Sequence, residues 1–87
     1  MTKAIGIIGS GIMGAGIAQI VAQAGYSVIM VDITEAQLSN AVARIKTALE
    51  RAVSRGFITD ETMNTALSNI TTSPSLSSVA GCDLIIE

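Results

Sequence analysis

The 87-residue chain has no histidine and no tryptophan, a single cysteine and a single proline. Without histidine it lacks the side chain that most often moves a proton near neutral pH, so acid–base catalysis of that kind lies outside these residues. The lone Cys82 cannot close an internal disulfide, which fits a reducing compartment. No base stands ready to raise its thiolate fraction, so it reads as a small buried hydrophobe. Charge is sparse too: 14% charged residues, a net charge of −2 and a pI near 4.8 exclude an electrostatic nucleic-acid binder. No metal-ligating set is expected. The apolar run after Lys3, ending in Ala22-Gln23-Ala24, imitates a secretory leader, but it holds five glycines between positions 6 and 16 and no leucine. Gln19 and Gln23 interrupt it and no positive flank follows, which argues against a membrane span. A cytoplasmic chain is expected.

What the chain does have is apolar surface. Hydrophobic residues make up 49% of it and mean hydropathy is +0.59. A single domain of this size buries only about 60–65% of its unfolded surface. A composition this apolar is richer than such a domain needs for itself, so part of the surface is expected to meet something else.

Ile5 to Gly16 reads Ile-Gly-Ile-Ile-Gly-Ser-Gly-Ile-Met-Gly-Ala-Gly. Glycines at 9, 11 and 14 give the G-x-G-x-x-G spacing of a dinucleotide-binding turn. Gly9 would turn the backbone sharply off a strand, Gly11 would let a pyrophosphate approach the main chain, and Gly14 would let the following helix pack closely. The amides of residues 11 to 14 would then sit at a helix N-terminus, which favours anions. The context supports this over a glycine turn that serves packing alone. An apolar strand precedes the turn, a helix from Ile12 ends before Gly25, and a second strand, Tyr26 to Val31, stops at Asp32. An acid at that point, about 20 residues beyond the glycines, can accept hydrogen bonds from an adenosine ribose. The other role open to Asp32 is a helix N-cap, since Asp-x-x-Glu fits a capping box. No Lys or Arg lies between residues 32 and 43 to meet a 2′-phosphate, so NAD is preferred over NADP.

Further along, Thr34 or Asp32 is expected to cap a long helix with apolar positions at Leu38, Val42, Ile45, Leu49 and Val53, ended by Gly56. Thr59 should cap a shorter helix reaching about Asn69, with Asp60 and Glu61 in its first turn. Ile70 to Thr72 reads as a third strand and Ser73-Pro74 as the opening of one helical turn with proline first. The last element, Asp83 to Glu87, is a strand with an unbroken Leu-Ile-Ile core. The whole is α/β, a Rossmann-type parallel sheet ordered 3-2-1-4. A helix normally follows such a strand to cover the sheet. Its absence suggests the front part of a longer protein, or a second copy of the chain as cover, and so a homo-oligomer.

Together, Gly9-Ser-Gly-Ile-Met-Gly-Ala-Gly-Ile-Ala-Gln19, Val31-Asp-Ile33, the helix ending Arg55-Gly56 and Cys82-Asp-Leu-Ile-Ile-Glu87 resemble the N-terminal part of 3-hydroxyacyl-CoA dehydrogenases. The resemblance spans the chain in order. It implies an NAD-dependent interconversion of 3-hydroxyacyl-CoA and 3-ketoacyl-CoA, 3-hydroxybutyryl-CoA being the nearest substrate, in fatty acid or butyrate metabolism. Residues 1–87 would be the N-terminal part of an NAD-binding domain, with the helical substrate and dimerisation domain absent. The family's His base and its orienting Glu would lie beyond the chain, so these residues alone should bind cofactor without turning over substrate.

On this reading Gly9, Gly11, Ile12, Met13, Gly14, Asp32 and Glu87 bind the cofactor. Met13 either touches it or, more simply, fills a gap under the helix. Glu87 ends the last strand at the carboxyl edge of the sheet, where ligands bind in such folds. Arg44, Arg51 and Arg55 share one helical face and could meet coenzyme A phosphates, the resemblance favouring Arg51 and Arg55; a solvated face is the plainer alternative. Two other readings stand: a β-hydroxyacid dehydrogenase of the 6-phosphogluconate type, which shares the Gly-x-Met-Gly turn, and a non-catalytic NAD-binding or structural half-domain.

Overall fold

A computed structural model describes residues 3–87. Four strands, β1 (Ala4–Ile8), β2 (Ser27–Val31), β3 (Ile70–Ser73) and β4 (Leu84–Ile86), form one parallel sheet in the order β3-β2-β1-β4. Three helices, α1 (Ile12–Gln23), α2 (Glu35–Ser54) and α3 (Asp60–Ser68), connect the first three strands. The expected order and the expected α/β class are both present.

Side chains alternate along a strand, so β1 divides the interior in two. Ile5 and Ile7 look toward the helices and join Ala15, Ala18, Ala22, Val28, Met30, Leu38, Ala41, Ile45 and Leu49 in one buried cluster. Leu38, Ala41, Ile45 and Leu49 recur at helical spacing on α2, and the alanines of α1 let the two helices approach closely over the sheet. Gly6 faces the other way. A Cβ there would fall 2.7 Å from Cγ1 of Val79, so the glycine makes room for a side chain that plugs that face. Val79 is buried and belongs to a short 3₁₀ turn, Leu76–Val79, on the chain's crossover to β4.

Local chemistry ends the elements as the sequence leads one to expect at two glycines and one threonine. Gly25 and Gly56 take φ of +98° and +77°, the left-handed conformation that terminates α1 and α2 at low cost. The Thr59 hydroxyl accepts the Thr62 N–H at 3.1 Å and caps α3. Two expectations give way. Thr34 stands at the N-cap of α2 without a side-chain cap bond of its own; the Asp32 carboxylate accepts the Thr34 amide instead, at 3.1 Å. The turn expected at Ser73-Pro74 starts later, at Leu76: the Asp32 N–H donates to the Ser73 carbonyl and keeps Ser73 in β3, while the Ser73 hydroxyl accepts the Ser75 N–H.

At the sheet's other edge, Asp83 and Ala4 are clipped reciprocally. The Asp83 amide donates to the Ala4 carbonyl at 2.8 Å and the Ala4 amide to the Asp83 carboxylate at 2.9 Å. The strand that follows pairs fully but stays open to solvent: Leu84 and Ile85 are 54% and 45% exposed. The bare apolar sheet anticipated at β4 is therefore present. Cys82 is half-buried, its sulfur beside the space over Gly6.

Candidate dinucleotide site

The register of the two central strands builds the site. Ile8 of β1 pairs with Val31 of β2, so the chain leaves both strands at the same level and Gly9, Ser10 and Asp32 emerge side by side. Gly9 takes φ +99°, which few side chains tolerate, and its amide donates to the Val31 carbonyl at 2.7 Å. Gly11 is the extended N-cap of α1, and a Cβ there would meet nothing within 4 Å. The space over it is open to a ligand. Gly14 is tight instead: a Cβ on it would collide with the Gly9 carbonyl oxygen. The helix thus packs against its own preceding turn, a closer contact than the sheet packing expected from sequence.

The first helical bond of α1 runs from the Ala15 N–H to the Gly11 carbonyl at 2.9 Å. The amides of Ile12, Met13 and Gly14 precede it and have no intrahelical acceptor. No acidic residue occupies that first turn, so the positive end of the helix dipole is uncompensated. An open glycine, free amides and a helix terminus are what a pyrophosphate requires, and the residues fit that group.

Asp32 closes the other side. Its Oδ2 accepts from the Ser10 hydroxyl at 3.0 Å and the Ser10 amide at 3.2 Å, and its Oδ1 from the Thr34 amide at 3.1 Å. The acid therefore does part of the work of starting α2, through the Thr34 amide, while two of its three bonds tie it to the glycine turn. These bonds hold its carboxyl below the usual carboxylate pKa, the Thr34 amide contributing most and Ser10 next. A depressed folded-state pKa stabilises the fold above the ordinary carboxylate range, and that support is lost as pH falls through the folded value. Near neutrality Asp32 is ionised.

A cleft of about 320 Å³ opens between the turn and β4, lined by Gly9, Gly11, Ile12, Met13, Gly14 and Glu87 among others. Six of the seven cofactor residues named from sequence thus line one cavity, and Asp32 reaches the same turn through Ser10. Met13 is 79% exposed and fills no gap under α1, because the first turn of that helix stands clear of the core. Ser10 escaped the sequence reading. Its signal was there: a small hydroxyl residue between two glycines, facing an acid at the end of the next strand.

The arginines lie elsewhere. Arg44 and Arg51 line a larger groove of about 540 Å³ along α2 with Asn40, Ala43, Thr47 and Ala48, and Arg55 is the helix C-cap one turn on. Arg44 also borders a smaller cavity shared with Ile12, Gly16 and Gln19 of α1, so it stands nearest the glycine turn. Among the described residues, no cluster of His, Cys, Asp or Glu could hold a metal ion, and no helix is long and apolar enough to cross a membrane.

Comparison with known proteins agrees with this geometry. The chain is 41% identical over 85 residues to 3-hydroxybutyryl-CoA dehydrogenase of Bradyrhizobium diazoefficiens, covering 98% of this chain and 29% of that protein. It is 36% identical to 3-hydroxyadipyl-CoA dehydrogenase of Escherichia coli, covering 98% of this chain and 18% of that protein. The solved structure of (S)-3-hydroxybutyryl-CoA dehydrogenase from Ralstonia eutropha superposes with a TM-score of 0.93 at 34% identity, over 98% of this chain and 30% of that one. The chain thus spans less than a third of the length of these relatives. Residues 4–87 match the family described as 3-hydroxyacyl-CoA dehydrogenase, NAD binding domain, and the chain belongs to that family, whose cofactor is NAD.

Proposed function

We propose that this chain is the NAD-holding part of a cytoplasmic, homo-oligomeric 3-hydroxyacyl-CoA dehydrogenase acting on 3-hydroxybutyryl-CoA or a close homologue. Gly9, Gly11, Ile12, Met13 and Gly14 hold the pyrophosphate with backbone amides and open space, Asp32 accepts from the adenosine ribose, and Glu87 borders the cleft from β4. Once bound, NAD supplies the hydride acceptor for the carbon bearing the substrate hydroxyl. The proton of that hydroxyl needs a base with a pKa near working pH, and with no histidine among the 87 residues that base comes from the rest of the enzyme. Arg51 and Arg55 are assigned to coenzyme A phosphates, because guanidinium forks match phosphate oxygens. The bare β4 edge is where the continuation of the NAD-binding domain, or a second copy of the chain, would be seated.

The observation that carries this reading is the join between the glycine turn and an ionised acid at the end of β2, with no cation from residue 32 to 43. The test is calorimetric titration of the chain with NADH and NADPH, repeated on Asp32→Ala. Saturable NADH binding, weaker NADPH binding and a loss of about tenfold or more in NADH affinity in the variant are expected. Equal binding by wild type and variant would remove Asp32 from the site.

A further inference from the structure

Ser10 is the one buried polar residue among the described residues, 3% exposed. It spends both of its donors on one atom, Oδ2 of Asp32. A carboxylate offers roughly four lone-pair sites. Oδ2 accepts two bonds and Oδ1 one, from the Thr34 amide, so the remaining acceptor capacity lies chiefly on Oδ1. The carboxylate is therefore fixed in orientation before any ligand arrives, one oxygen turned to the glycine turn and the other to the start of α2. Glu35 is the only other charged residue between Asp32 and Arg44.

We propose that Ser10 is the positioning residue behind the cofactor preference of this chain: it locks Oδ2 of Asp32 and leaves Oδ1 as the oxygen offered to a ribose hydroxyl. The proposal rests on the dinucleotide reading above. A fixed acceptor costs little ordering when a ribose binds, and the same fixed charge opposes a 2′-phosphate, which would need the carboxylate to swing away. Without the serine hydroxyl the carboxylate keeps one donor on Oδ2 and turns more freely. Both effects then weaken together, although Ser10 touches neither ribose nor phosphate in this arrangement.

Two variants remove the hydroxyl and keep the amide: Ser10→Ala, which keeps Cβ, and Ser10→Gly, which removes it too; neither adds bulk to the buried position. For each, NADH and NADPH affinities are measured by calorimetry, the Asp32 carboxyl is titrated by carbon NMR, and amide spectra verify the fold. The expected result is NADH affinity lower by roughly three- to tenfold, NADPH affinity nearly unchanged, and an Asp32 titration midpoint moved up toward the ordinary carboxylate value. An unchanged NADH-to-NADPH ratio in a folded variant, or an unmoved Asp32 titration, overturns the role of Ser10 while leaving the cofactor site standing. Failure of the wild-type chain to bind either cofactor overturns the dinucleotide reading, and this proposal with it.

Discussion

β1 and β2 run through the middle of the sheet with three of five residues buried in each, whereas β3 and β4 at its edges bury none of theirs. Both pairs carry the same parallel ladder, so backbone pairing alone does not account for the difference. The central strands are roofed by α1 and α2, and their side chains close a core. The edge strands have a ladder on one side, and the face opposite the helices is covered over Gly6 by Val79 with the Cys82 sulfur beside it. Most residues of the candidate site follow the same division, Glu87 at the end of β4 being the exception. Gly9, Ser10 and Asp32 leave the ends of the buried strands, where the backbone is held on both sides and donors can be aimed.

The sharpest way to break this contrast is to empty the roofed side. Leu49, on the inner face of α2, is fully buried, and Leu49→Ala should cost about 2–5 kcal/mol, enough to unfold a small domain in part at room temperature. Urea denaturation followed by far-UV circular dichroism measures it. A smaller loss is expected from Gly14→Ala, about 1–3 kcal/mol, because the new methyl must displace the Gly9 carbonyl. That variant should also lose NADH binding to a greater degree than its stability change explains. Smallest is a change at the open edge: Ile85→Thr should shift stability by no more than about 0.5 kcal/mol, since nearly half of the side chain is already exposed. A large loss there would mean that β4 is covered in solution.

The parts of this molecule that were legible in the sequence are those set by local rules. The glycine spacing, the left-handed ends at Gly25 and Gly56, the Thr59 cap and the apolar stripe of α2 each follow from a few neighbouring residues. The strand order is that of the Rossmann-type sheet which the glycine turn and the resemblance imply. What was not legible depends on register between distant segments. The Ser10–Asp32 bonds join residues 22 apart and exist because Ile8 sits opposite Val31. The use of Gly6 is of the same kind, since its reason is a valine more than seventy residues later. The gap-filling alternative for Met13 fails for a related cause: helical spacing shows which residues share a face, but not how far the first turn of α1 projects beyond the sheet.

The most direct measurement is an amide-resolved NMR titration of the chain with NADH, which reports where the cofactor sits as well as whether it binds. The largest shifts should fall on residues 9 to 14, Asp32 and Thr34, with smaller ones at the end of β4 and little along the outer groove of α2. Saturable shifts confined to Asn40, Arg44, Thr47 and Arg51, with the glycine turn silent, would contradict placement of the cofactor at the ends of the central strands.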